Sequence, residues 1–299
     1  MRIRPAPTVA ATVLVFALLA VPAYAAKGAY WGTYVEPAPG QSPLGALTSF
    51  ESKIDRRFHV YRFYRPIDNG DMGSSVADAM RRRGQPVYLN ITSQFRGRCV
   101  AWRRVTAGRY DRRFHVIARA VRAYRYRVYF SWNHEMENTC RTGTAAEYRA
   151  SYKHIRHIFT RERVTNARWV VVFAASYFKE HSLSVRHFLP RRYDLIGVDG
   201  YNRAREWRTP AQIFGAAHRF AAKRGSRLFI GEIGCEERPS DATAKAAWIG
   251  EAAGTFRRWN VAAVLWTNSP TAGGDYRADS SQSALDAYRS AGAMGFFGR

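Results

Sequence analysis

The feature of this sequence that most restricts its fold is an alternation, repeated eight times from Ala29 onward, of short runs rich in β-branched and aromatic residues with longer helix-like segments. Neighbouring parallel strands need a long crossover, and a helix supplies it while covering a face of the sheet. Eight such units predict an α/β fold, the (β/α)8 or TIM barrel, for which roughly 250 residues is an ordinary size. The expected strands are 30–35, 58–64, 86–91, 128–135, 168–174, 194–199, 227–232 and 261–265. Helices are expected over 44–54, 75–83, 111–125, 145–160, 183–188, 210–223 and 242–259, with Asp111 as an N-cap and a last helix beginning near Ser280. No proline interrupts a strand centre. No linker, repeat or low-complexity tail divides the chain, so a single domain is expected over 26–299.

Two of the runs end abruptly in acid. Val128 to Glu135 (VYFSWNHE) passes from apolar residues into a polar cluster, and Arg227 to Gly234 (RLFIGEIG) carries Glu232. Strand ends and the loops after them build the mouth of such a barrel, so Glu135 and Glu232 are expected to converge on one cleft although they are far apart in sequence. Two facing carboxyl groups are the basic equipment for cleaving a glycosidic bond. The segment from His134 to Asn138 begins like a zinc-protease helix, but Asn138 stands where the second histidine is required, so that chemistry is excluded.

The first 25 residues have a different character. Arg2 and Arg4 precede an apolar run from Val9 to Val21, and Ala23 and Ala25 flank Tyr24 as small residues do at a signal-peptidase site. This predicts a secretory leader over 1–25 and an extracellular, secreted chain. The apolar run is short for a membrane span, so no membrane attachment is expected after cleavage. Loss of Arg2 and Arg4 lowers the formal charge from +24 by two, to +22. Such a field favours anionic partners: nucleic acid, cell-wall polymers or acidic polysaccharide. The arginines are spread over every helix-like segment, as on solvated helix faces, so no specific nucleic acid is expected. Of the three cysteines, Cys99 and Cys140 follow neighbouring strands and are the expected disulfide, leaving Cys235 free. Their wide spacing gives no metal site.

Four stretches together resemble glycoside hydrolase family 26, a retaining clan A family of (β/α)8 enzymes typified by β-mannanases. His134-Glu135-Met136 is similar to its acid/base motif and Ile230 to Gly234 (IGEIG) to its nucleophile strand. Leu195 to Asn202 (LIGVDGYN) is similar to its sixth strand, and Trp266 stands where its eighth strand offers an aromatic floor. The resemblance covers most of the chain after the leader. It implies Glu135 as acid/base, Glu232 as nucleophile, His134 as a substrate contact, Tyr201 as a donor to Glu232, and Trp266 as a stacking surface for sugar C–H groups. Asn202 is expected either to bond a sugar hydroxyl or to shape the turn. Tyr177 and Arg62 are further candidates by strand position. No cofactor is implied; the partner is a polysaccharide and the chain a monomer.

Glu135 is followed by Met136, Glu137, Asn138, Thr139 and Cys140, where mannanases of the family continue with Asn-Gly and then tryptophan. β-Mannan, mixed-linkage β-glucan and β-1,3-xylan therefore all remain open as substrates of an endo-acting, retaining β-glycanase. A catalytically drifted glycan-binding barrel, attached to anionic wall polymers, is the alternative.

Overall fold

A computed structural model describes residues 28–180 and 182–298. The expected leader over 1–25 lies outside them. Eight parallel strands close into a barrel: β1 (Tyr30–Val35), β2 (Val60–Pro66), β3 (Val87–Thr92), β4 (Val128–Trp132), β5 (Ala167–Ala174), β6 (Leu195–Asn202), β7 (Leu228–Cys235) and β8 (Ala263–Asn268). Each pairs with its sequence neighbours, and β8 pairs with β1 from Tyr30–Ala263 to Val35–Asn268. The (β/α)8 fold expected from the alternation is the fold observed.

Around the barrel run α1 (Pro43–Lys53), α2 (Ser75–Arg82), α3 (Trp102–Thr106), α4 (Asp111–Tyr124), α5 (Ala145–Arg161), α6 (Ala175–Glu180), α7 (Ser182–Phe188), α8 (Pro210–Ala222), α9 (Ala244–Arg258) and α10 (Gln282–Ala293). Their starts follow local chemistry. Thr144 with Glu147 and Thr209 with Gln212 form reciprocal capping boxes on α5 and α8, and Pro210 fills the first position of α8, where no N–H is needed. Asp111 is the first residue of α4 rather than its cap, which is Tyr110. Its carboxylate instead meets His154 Nε2 on α5 at 2.7 Å. Among the described residues, no helix is long and apolar enough to cross a membrane.

Side chains alternate between the barrel interior and the helix layer. Val60, Tyr88, Tyr129, Val170, Val172, Phe229, Ala263 and Leu265 fill the interior, while their neighbours Tyr61, Val87, Phe130, Val171, Ile230 and Val264 pack with the helices. Strand β7 breaks the alternation once. On the β6 side Val198 pairs with Ile230 but the next residue, Asp199, pairs with Glu232; on the β8 side Val264 pairs with Ile230 and Trp266 with Ile233. Gly231 is thus the extra residue of a β-bulge, which re-aims the side chain that follows it.

The loop after β4 is longer than expected, since that strand ends at Trp132 rather than Glu135, and the connection after β3 holds a hairpin and α3 where a plain polar loop was expected. After β3, Gln94–Phe95 pairs with Arg98–Cys99 across Arg96 and Gly97, whose φ values of 50° and 72° suit a two-residue hairpin turn. A disulfide from Cys99 to Cys140, with a Cα–Cα distance of 5.4 Å, ties this hairpin to the loop after β4. Cys235 is free and buried.

Candidate active site

Glu232 follows the bulge and so turns into the mouth of the barrel, where neighbouring strands deliver donors to it. From β2, alternate residues Arg62 and Tyr64 both point inward. The Arg62 guanidinium lies 2.8 Å from Glu232 Oε1, and the Tyr64 hydroxyl donates to the same oxygen at 2.9 Å. From β6 the Tyr201 hydroxyl donates to Oε2, and it also lies 3.2 Å from the Thr267 hydroxyl on β8. His134, just after β4, brings Nε2 to 3.5 Å from Oε1.

Arg62 is 1% exposed and buried between acids. It donates to the Gly231 carbonyl at 2.7 Å and reaches both oxygens of Asp199 at 3.5 Å. The guanidinium also lies against the Tyr64 and Tyr88 rings, 4.3 and 4.7 Å from their centres. A Cβ on Gly231 would stand 2.5 Å from Asp199 Oδ1, so the bulge position must be glycine for this carboxyl to fit. Donor atoms of His134, Asp199 and Glu232 lie within 4.8 Å of one another, as metal ligands would. Arg62 touches both carboxyl groups and already supplies the cation there, so the trio does not fit a metal.

A chain of hydrogen bonds orients His134. Tyr88 and Ser131 hydroxyls meet at 2.9 Å, Ser131 donates to Asn90 Oδ1 at 2.6 Å, and Asn90 Nδ2 donates to His134 Nδ1 at 2.7 Å. With Nδ1 accepting, the ring proton belongs on Nε2, the nitrogen that faces Glu232. Burial, aided by Arg62, lowers His134 to about 4, so the ring is neutral at pH 7 and serves as an N–H donor.

Glu135 sits differently. Its backbone lies at φ 48°, close to the 46° of Asn133, so the chain after β4 turns sharply through two left-handed residues. Asn133 pins that turn: its side chain accepts from the Ser93 N–H and hydroxyl at 2.9 Å each and donates to the Thr139 carbonyl at 2.7 Å. The Glu135 N–H donates to the Val172 carbonyl of β5 at 2.9 Å. Among the described residues, no cation forms an ion pair with Glu135.

The consequence is two acids of opposite character on one cleft. Burial raises Glu232, but Arg62, His134, Tyr201 and Tyr64 outweigh it and hold Glu232 down at about 2. Burial, and next the charge of Glu232, push Glu135 up to about 7, against smaller pulls from Arg62 and Asn138. Asp199 is raised well above the usual carboxylate range by burial and by Glu232, against the pull of Arg62. The cleft, of about 530 Å³, is lined by Tyr34, Tyr64, Glu135, Tyr201, Glu232 and Thr267 and by Glu36 at its rim. A second arm of about 290 Å³ continues past Glu135 and Tyr201 toward α6 and α8.

Several expected contacts are not there. Trp266 faces the helix layer, 2% exposed, with its indole donating to the Tyr276 carbonyl at 2.7 Å and its ring against Trp248 and Tyr288. The reason is strand phase: β8 continues past it to Asn268, and Thr267, one residue on, faces the cleft. Asn202 is fully buried; its amide oxygen accepts from the Arg208 N–H at 2.9 Å and its amide nitrogen lies 3.6 Å from Cys235 Sγ, so it shapes the turn. Tyr177 stacks on Phe173, while its neighbour Ser176 lines the second arm. Tyr34, Tyr64, Asn90 and Asp199 are site residues that the sequence reading did not single out. For Tyr64 a signal existed, since it stands two residues beyond Arg62 on the same strand face.

No family model matches the chain. Endoglucanase H of Acetivibrio thermocellus is 27% identical over 285 residues, 87% of this chain. The chain spans only 30% of that relative's length. The GH26 endo-β-1,4-mannanase catalytic domain of Bacillus sp. JAMB-750 superposes with a TM-score of 0.66 at 14% identity, covering 91% of this chain and 90% of the other. A modular endo-β-1,4-mannanase of Cellulomonas fimi gives 0.67 at 12% identity, covering 91% and 72%. The chain therefore has the fold of the glycoside hydrolase family 26 mannanases.

Proposed function

We propose that the chain is a secreted glycoside hydrolase that cleaves β-linked polysaccharide internally, with net retention at the anomeric carbon. The observation that carries this reading is the pairing of unlike acids on one cleft: Glu232, ionised and held by Arg62, Tyr64 and Tyr201, beside Glu135, which has no cation partner among the described residues. Glu135 gives its proton to the leaving glycosidic oxygen as a Glu232 oxygen bonds the anomeric carbon. Esterification removes the Glu232 charge that had raised Glu135, so Glu135 then takes a proton from water, whose oxygen displaces Glu232. Tyr34 and Tyr64, rather than Trp266, offer ring faces to sugar C–H groups. The leader-like start and the Cys99–Cys140 bridge support an exported chain.

The substrate class is drawn from β-mannan, mixed-linkage β-glucan and β-1,3-xylan; the named activities of the similar proteins, mannanase and endoglucanase, favour the first two. Reducing-end release from each polymer is the test, with Glu135→Ala and Glu232→Ala alongside. Activity on a polymer that both substitutions abolish supports the reading, and activity surviving both removes these carboxyls from the mechanism. Proton NMR of the first-formed product addresses stereochemistry: initial inversion would exclude Glu232 as nucleophile. Polysaccharide binding without any cleavage would favour a drifted binding barrel.

A further inference from the structure

The two arms of the cleft differ in charge. The arm past Glu135, between α6 and α8, is lined by Lys179, Arg203 and Arg208, whereas no lysine or arginine lines the arm over Glu232, whose rim carries Glu36. Glu36 is engaged by the Ser269 and Thr271 hydroxyls. Among the described residues, these three cations make one ion pair, Arg208 with the exposed Glu206, at 3.3 Å. Arg208 Nε is buried and lacks a hydrogen-bond partner, Arg203 lies beside the Tyr276 hydroxyl, and Lys179 has no acidic partner among the described residues. The acids that do line this arm are Glu135 and Asp199, and Asp199 is already engaged by Arg62, at 3.5 Å from both its oxygens. Three cations around one pocket of about 290 Å³, with a single exposed counter-ion, form a receptor for a negative group.

On the glycanase reading, on which this inference rests, the proton donor stands beside the leaving sugar and the nucleophile beneath the retained one. The arm lined by Glu135 but not by Glu232 is then the leaving-group side. We propose that this arm receives an anionic sugar, so that the preferred substrate is a β-glycan bearing carboxylate or sulfate on the leaving-group side of the cleaved bond. Guanidinium forks suit either oxyanion.

The experiment compares kcat/KM on a glucuronate-containing β-glycan before and after carboxyl reduction, and on a sulfated β-glycan before and after desulfation. Wild type is set beside the combined variant Lys179→Ala, Arg203→Ala, Arg208→Ala, with folding checked by circular dichroism. Expected is a preference of at least about tenfold for one charged polymer over its neutralised form. That preference shrinks with added salt and falls to near unity in the combined variant. Which polymer shows it separates carboxylate from sulfate. Equal rates on charged and neutral forms, or a preference that persists in the variant, overturns the inference and leaves the glycanase reading intact. No cleavage of these or of the neutral polymers overturns the glycanase reading itself, and the inference with it.

Discussion

Removing the Tyr201 hydroxyl takes from Glu232 a donor that neither Arg62 nor Tyr64 replaces, because each of those meets the other carboxylate oxygen. A hydrogen bond to a charged group contributes about 1.5–3 kcal/mol, so Tyr201→Phe is expected to lower kcat/KM by roughly tenfold to a hundredfold. The acid limb of its pH profile should move upward, since a group that lowers Glu232 has been lost. The alkaline limb belongs to Glu135 and is expected near pH 7, where its proton leaves. Glu232→Gln removes the second-largest cause of that elevation. The Glu135 carboxyl should then titrate lower, while burial keeps it above the ordinary glutamate value, as carbon-13 NMR of the carboxyl would show. At this scale the sequence announced Glu135 and Glu232 because each closes an apolar run. It did not announce Asn90 or Asp199, whose roles arise only from what stands across the barrel, and it placed Trp266 on the wrong face because one residue of strand length decides which face a side chain takes.

The loop after β4 is the element on which the acid depends. Glu137 is 5% exposed; its Oε1 accepts from the Ala174 N–H at 2.6 Å, and its Oε2 is buried with no partner. Burial, opposed by its backbone bonds, raises it to about 8. A carboxyl raised in the folded state binds its proton more tightly there than in the unfolded chain. Its contribution is therefore full below the unfolded value of about 4.5 and declines as pH rises toward the folded value. Glu137→Gln is expected to remove about 3 kcal/mol of the stability that wild type loses between pH 5 and 8, read from urea unfolding at both pH values. The disulfide acts on the same loop. Its separation of 41 residues makes Cys140→Ser cost about 4 kcal/mol by loop-closure entropy, seen as a lower denaturation midpoint, with kcat falling as the Glu135 turn loosens. Strands and helices were legible because apolar runs and capping residues are local signals. The hairpin after β3 and the short α3 and α6 were not, because a polar connection carries no apolar period to mark its folds.

For the whole molecule, closure of the ring couples all these choices. Every strand is paired on both sides, so the facing of each is fixed against its neighbours around the complete circuit. The eight-fold alternation revealed that circuit, but a glycine within an apolar run reads equally as packing, bend or bulge, so the extra residue at Gly231 stayed hidden. Its consequence is one of parity. Deleting Gly231 alone would leave Glu232 directly after Ile230, still opposite Asp199 and facing the mouth, whereas deleting Ile230 with it would set the carboxyl opposite Val198 and point it at the helices, while the residue behind it took its place over the mouth. The expected product of the two-residue deletion is a chain with barrel-like circular dichroism and no hydrolysis. The difference between an active barrel and a silent one would then be a single unit of counting, with every acid still in the sequence.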